Sequence, residues 1–89
     1  MTYDPEWSRQ SQDVVTAMWV AGSSAERKII TQAMANVDRL LRHNPHEQGE
    51  SRSHGRRVLF EPPLVVTFKP DDSRRVVRVL KVREMRSHK

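Results

Sequence analysis

The chain has 89 residues, 36% hydrophobic and 30% charged, with no cysteine and a formal net charge of +5. That length holds one compact domain over residues 1–89, the missing cysteines exclude a disulfide framework and a thiolate metal site, and no apolar run approaches the ~20 residues that span a bilayer. Nine of the 16 basic and ten of the 11 acidic residues precede Arg74, so that part sums to −1 and the positive charge belongs to the last stretch, "RRVVRVLKVREMRSHK". A local excess of this kind serves either a polyanionic partner or the solvation of a strand edge.

The opening "MTYDPEWSRQ" has neither the basic flank nor the hydrophobic stretch of a secretion signal, so a cytoplasmic protein is expected, with no membrane partner. A short extended segment around Thr2 to Glu6 suits an edge strand, where Pro5 is tolerated. Apolar Trp7, Val14, Val15, Met18 and Trp19, with small Ser11 and Ala21, give one helical stripe over residues 7–21. Gly22 ends it, and Ser23 with Glu26 forms an S-x-x-E capping box opening a second helix over 24–43. That helix has the clearest stripe in the chain, Ile30, Ala33, Met34, Val37, Leu40 and Leu41, and Asn44-Pro45 stops it. The short "AGSS" link makes the two helices an antiparallel hairpin. Trp7 and Trp19 diverge by about 120° on an ideal helix, which leaves one for the core and the other for the core or a partner.

Residues 44–55, including "HEQGESRSHG", read as an exposed loop. Beyond it, β-branched and aromatic runs predict strands over 56–61, 64–69 and 74–83. The expected fold is α+β, a two-helix hairpin packed on a three- to four-stranded antiparallel sheet. A turn over residues 70–73 pairs Lys69 with Arg74, Thr67 with Val76 and Val65 with Arg78 on one face. Phe68, Val66 and Leu64 then pair with Arg75, Val77 and Val79 on the other, apolar face, which takes the helices. Pro62-Pro63 cannot form a primed two-residue turn, so a three-residue link through Glu61-Pro62-Pro63 is preferred. That link puts Val58 and Phe60 on the core face and Arg57 on the open one, which buries more apolar surface, whereas a bulge would reverse the two faces.

The open face then carries Arg57, Lys69, Arg74 and Arg78, with Arg83 and Arg86 extending it. Each basic side chain that meets a phosphate adds about one released counterion to the salt dependence of binding. Other chemistry is sparse. His43 and His46 flank a helix-breaking proline, so no metal site is expected, and His43 suits the negative end of the helix dipole. Glu47 and Glu50 lie in the polar loop, and no glycine-rich phosphate loop or nucleophile elbow is present, so no cofactor is expected.

The order of elements, with "VDRLLRHNP", the polar loop, "RRVLFEPPLVVTF" and the final "RVVRVLKVRE", resembles the RelE/ParE toxin superfamily of type II toxin–antitoxin systems. The resemblance implies a toxin bound by an antitoxin that wraps the helices and sheet. Such toxins are mainly ribosome-dependent messenger-RNA endonucleases or gyrase poisons. In the endonuclease branch, basic residues stabilise the scissile phosphate while the RNA 2′-hydroxyl attacks, without a metal. By position the resemblance sets Arg57 near the basic residues of the family's second strand and Arg83 near the arginine after its last strand. With Arg78 of the open face these are the catalytic candidates, and Lys69, Arg74 and Arg86 of the same face and its extension are the expected nucleic-acid contacts. The chain departs from the family pattern at Leu64-Val65-Val66, where an arginine is usual, and has only His88 after the final strand. The expected partners are therefore an antitoxin and RNA or the ribosome, alternatively DNA gyrase, or the fold serves as a non-catalytic binding module.

Overall fold

The computed structural model describes residues 2–85. In chain order these form β1 (Asp4–Trp7), α1 (Arg9–Ala21), α2 (Ser24–His43), β2 (Glu50–Ser51), β3 (Arg57–Glu61), β4 (Leu64–Asp71) and β5 (Val76–Glu84), with single 3₁₀ turns at Pro45–Glu47 and Ser53–Gly55. The strands make one sheet in the order β1-β5-β4-β3-β2. β1 runs parallel to β5, and the other pairs are antiparallel. The expected two helices on a sheet are present, and the sheet is larger than expected, with five strands and one parallel pair. None of the described helices is long and apolar enough to cross a membrane.

Local chemistry explains the boundaries. Trp7 belongs to β1 rather than to the first helix because Ser8 caps α1, its Oγ accepting from the Ser11 N–H at 3.1 Å. β1 is an edge strand, which accommodates Pro5 beside Val77. The capping box of α2 is complete: Glu26 N–H donates to Ser23 Oγ and Ser23 N–H to Glu26 Oε1. The Ser23 backbone N–H first, then the Ser23 hydroxyl, holds the Glu26 carboxyl below the usual range. The polar loop gains structure where β2 pairs with β3. Gly49 makes that approach, at φ +66°, because a Cβ there would lie 2.2 Å from the Val58 carbonyl oxygen.

The helices cover one sheet face, α1 chiefly over β5 and α2 over β1 and β3. Val15, Ile30, Ala33, Val37 and Leu41 meet Leu59, Leu64, Val66, Phe68, Val77, Val79 and Val82 in the core. Two registers differ from those the sequence suggests. The β4–β5 turn occupies residues 72–75, so Lys69 faces Arg78 rather than Arg74. The reason lies at Asp71, whose Oδ1 accepts from Ser73 Oγ at 2.8 Å and from the Arg74 N–H at 3.2 Å, moving the turn past the proline. At Phe68 and Lys69 the pairing moves by four residues, an even number, so Val77 and Val79 keep the helix-facing side with Leu64, Val66 and Phe68.

The β3–β4 link is a two-residue connection, Glu61 pairing with Leu64 across a cis Pro62–Pro63 bond. A cis proline at the third position of a turn is a geometry outside the primed set. It reverses the expected faces of β3. Leu59 is buried, Phe60 is 46% exposed, and Arg57 pairs with Phe68 on the helix side.

Candidate nucleic-acid interface

The free face of the sheet owes its charge to a bulge. Phe68 pairs with Val79 but Thr67 pairs with Lys81, so Leu80 is an extra residue in β5. Before it, Val77 and Val79 face the helices; after it, Val82 does, and Lys81 and Arg83 turn outward with Arg78. The N-terminal turn of α1 secures this irregular backbone. Ser8 Oγ donates to Leu80 O at 3.0 Å, Ser11 Oγ to Val79 O at 3.3 Å, and Gln10 brackets Val82 by accepting its N–H and donating to its carbonyl. Polar groups left open by the bulge are thereby satisfied from one helix end.

Across the open face the pairing sets three rows. Glu6, Arg78 and Lys69 form the first; Lys81, Thr67 and Val58 the second; Arg83, Val65 and Phe60 the third. Lys69, Arg78, Lys81 and Arg83 are exposed, and among the described residues none makes an ion pair or side-chain hydrogen bond. Arg27, Arg42, Arg52 and Arg57, by contrast, are held by internal acceptors. The acids that flank these strands in sequence point elsewhere: Glu61 accepts from Asn36 on the helix side, and Glu84 pairs with Leu64 on that side. Asp71 remains on the open side, with its carboxyl held below the usual range by the Ser73 hydroxyl first, then by the Arg74 N–H and the charges of Arg78 and Arg74.

The structure thus brings Arg78, Arg83 and Lys69 together and separates them from Arg57. Arg57 Nε donates to Gln48 O at 2.7 Å and Nη2 to Gly49 O at 3.2 Å, tying the loop before β2 to β3. Arg74 lies in the turn, outside the paired strands, and Arg86 lies outside the described residues. Lys81 joins the face without having been singled out in sequence, and Phe60 and Val58, expected on the core face, lie on the open one. The signal for Lys81 was the shift of the apolar positions from 77 and 79 to 80 and 82, which marks a bulge.

A second polar cluster closes the β1 edge. Tyr3 Oη donates to Asp72 Oδ1 at 2.7 Å, His46 Nε2 lies 2.7 Å from the same oxygen, and the Arg75 guanidinium sits 5.2 Å from the Tyr3 ring centroid. The hydrogen bond from His46, then that from Tyr3, holds the Asp72 carboxyl below the usual range. On the helices, Trp19 is 44% exposed, with the Arg27 guanidinium over its ring at 4.4 Å, whereas Trp7 packs on the core. Among the described residues no three His, Cys, Asp or Glu side chains gather to hold a metal ion.

No family model matches the sequence, and no curated protein matches it. Solved structures do. A chain of the chromosomal ParDE TA system from P. aeruginosa superposes with a TM-score of 0.75 over 94% of this chain and 97% of its own, at 16% identity. The chain has a RelE/ParE-like fold. A chain of the toxin-antitoxin complex RelBE2 from Mycobacterium tuberculosis superposes with a TM-score of 0.70 over 94% of this chain and 92% of its own, at 13% identity. At these identities the RelE/ParE-like likeness fixes the path of the backbone, and function has to be argued from the side chains.

Proposed function

We propose that this protein is the toxin of a type II toxin–antitoxin pair, that it acts on ribosome-bound messenger RNA through the open face of β4 and β5, and that an antitoxin neutralises it. The observation that carries the reading is the set Lys69, Arg78, Lys81 and Arg83, four exposed cations with no acceptor among the described residues, on the face of a RelE/ParE-like sheet that the helices leave open. Unengaged cations on a rigid sheet are free to meet phosphates, and each phosphate neutralised releases counterions. Cleavage on this surface uses charge and position: Arg78 and Arg83 stabilise negative charge developing on a phosphate while the adjacent 2′-hydroxyl attacks, forming a 2′,3′-cyclic phosphate and breaking the bond to the 5′-oxygen, with solvent water taking the hydroxyl proton and supplying one to the leaving oxygen. Arg57, on the opposite face, supports the fold in this reading.

A second reading is a gyrase-directed toxin. It fits the lack, among the described strand residues, of a histidine or tyrosine on the open face. Induced expression in a bacterial host separates the two. Growth arrest with new transcript ends inside translated regions supports the endonuclease; arrest with intact transcripts and blocked supercoiling by gyrase supports the second reading. Unimpaired growth removes both and leaves a binding module.

A further inference from the structure

Among the described residues four large hydrophobic side chains are exposed: Trp19, Val20, Ile29 and Phe60. The first three lie on the helices, and one side of the Trp19 ring is already covered by Arg27. Phe60 alone shares a face with the unengaged cations. We propose that Phe60 is a stacking platform for one unpaired base of a single-stranded RNA whose phosphates lie on Arg83 and Lys81. The proposal rests on the RNA-directed reading of the open face given above, and adds to it the form of the ligand.

The geometry suits a nucleotide. Phe60 and Arg83 both pair with Val65, one on each side, so their backbones are two strand spacings apart, roughly 10 Å. Val65 between them is only 4% exposed, and Val58 beside Phe60 is half-buried, so the ring stands on a firm floor rather than a mobile loop. The base and phosphate of one nucleotide diverge from the sugar, and a strand crossing Val65 presents its base to the ring and its phosphate to the guanidinium. A paired base has both faces covered by its stacked neighbours, and only an unpaired one offers a face to an aromatic ring. Stacking accepts any base, so the platform holds a strand without choosing its sequence. No other aromatic ring or cation covers the Phe60 ring among the described residues.

The test is binding of a labelled single-stranded RNA oligonucleotide to the full chain over a series of salt concentrations. Phe60→Ala and Phe60→Leu are expected to weaken binding about tenfold, with an unchanged slope of log K against log salt. Phe60→Trp retains affinity, and its added indole fluorescence is quenched by the RNA. Arg83→Gln lowers the slope by about 0.7. An oligonucleotide of the same length without bases should bind the native chain and Phe60→Ala equally. Native affinity in Phe60→Ala overturns the platform and leaves the RNA-directed reading standing. Native affinity in Phe60→Leu with a loss in Phe60→Ala also overturns it, because simple apolar contact, as in a protein partner, then suffices. No binding of any RNA at low salt overturns both.

Discussion

Arg78 and Arg83 are five positions apart on β5 yet project from the same face of the sheet, because Leu80 enters the strand as an extra residue between them. In a regular strand, residues an odd number apart point to opposite faces. The bulge therefore turns one basic strand into one basic surface, and α1 holds it in place through Ser8, Gln10 and Ser11.

That dependence makes Ser8 a sensitive position. Its Oγ caps α1 and also donates to Leu80 O. Ser8→Ala loses a cap worth about 1 kcal/mol and a hydrogen bond worth about 1 kcal/mol, so a drop of about 2 kcal/mol in unfolding free energy is expected by urea titration. Amide exchange at Leu80 to Val82 should quicken more than in the centre of α2. A loss within about 0.5 kcal/mol, the range of an ordinary surface change, would show that the bulge stands without α1.

Arg57 separates structural from functional charge. Its two bonds to loop carbonyls predict that Arg57→Ala lowers stability by about 1 kcal/mol while leaving the salt dependence of RNA binding unchanged. Arg83→Gln should do the reverse, lowering the salt slope with no measurable loss of stability. A slope that falls on removal of Arg57 would return that residue to the binding surface.

Much of this arrangement was legible in the sequence. The helix stripe, the Ser23–Glu26 capping box, the alternating β4 and the turn-rich breaks led to two helices on a sheet, and the helix-facing residues of β4 and early β5 followed from alternation alone. Three things were hidden for physical reasons. Proline signals a break, but Pro70 sits inside β4, since the side chain of Asp71 organises the turn two residues later. Two prolines in a row bar the primed turns, and the link formed instead reversed Arg57 and Phe60. The parallel β1–β5 pair brings together residues more than 70 positions apart, which no local pattern encodes. The candidate site suffered most, because face assignment changes with every single-residue slip.

The β1 edge predicts an acid response. Asp72 has a folded pKa below its unfolded value near 3.9, so its contribution is complete above that pH and is lost as pH falls through the folded value. The groups facing it are His46, Tyr3 and Arg75. Asp72→Asn should therefore flatten the fall in melting temperature below about pH 4 relative to the native chain. An acid limb identical in both proteins would mean that this exposed cluster contributes nothing to stability.

The open face is tested most directly by neutralising it. Lys69, Arg78, Lys81 and Arg83 are all exposed and make no internal bonds among the described residues, so the combined variant with glutamine at all four positions should unfold at nearly the native temperature. Growth of a bacterial host is then followed after inducing either chain. Arrest by the native protein and normal growth with the folded quadruple variant is the predicted result; arrest by both would contradict a role for this face.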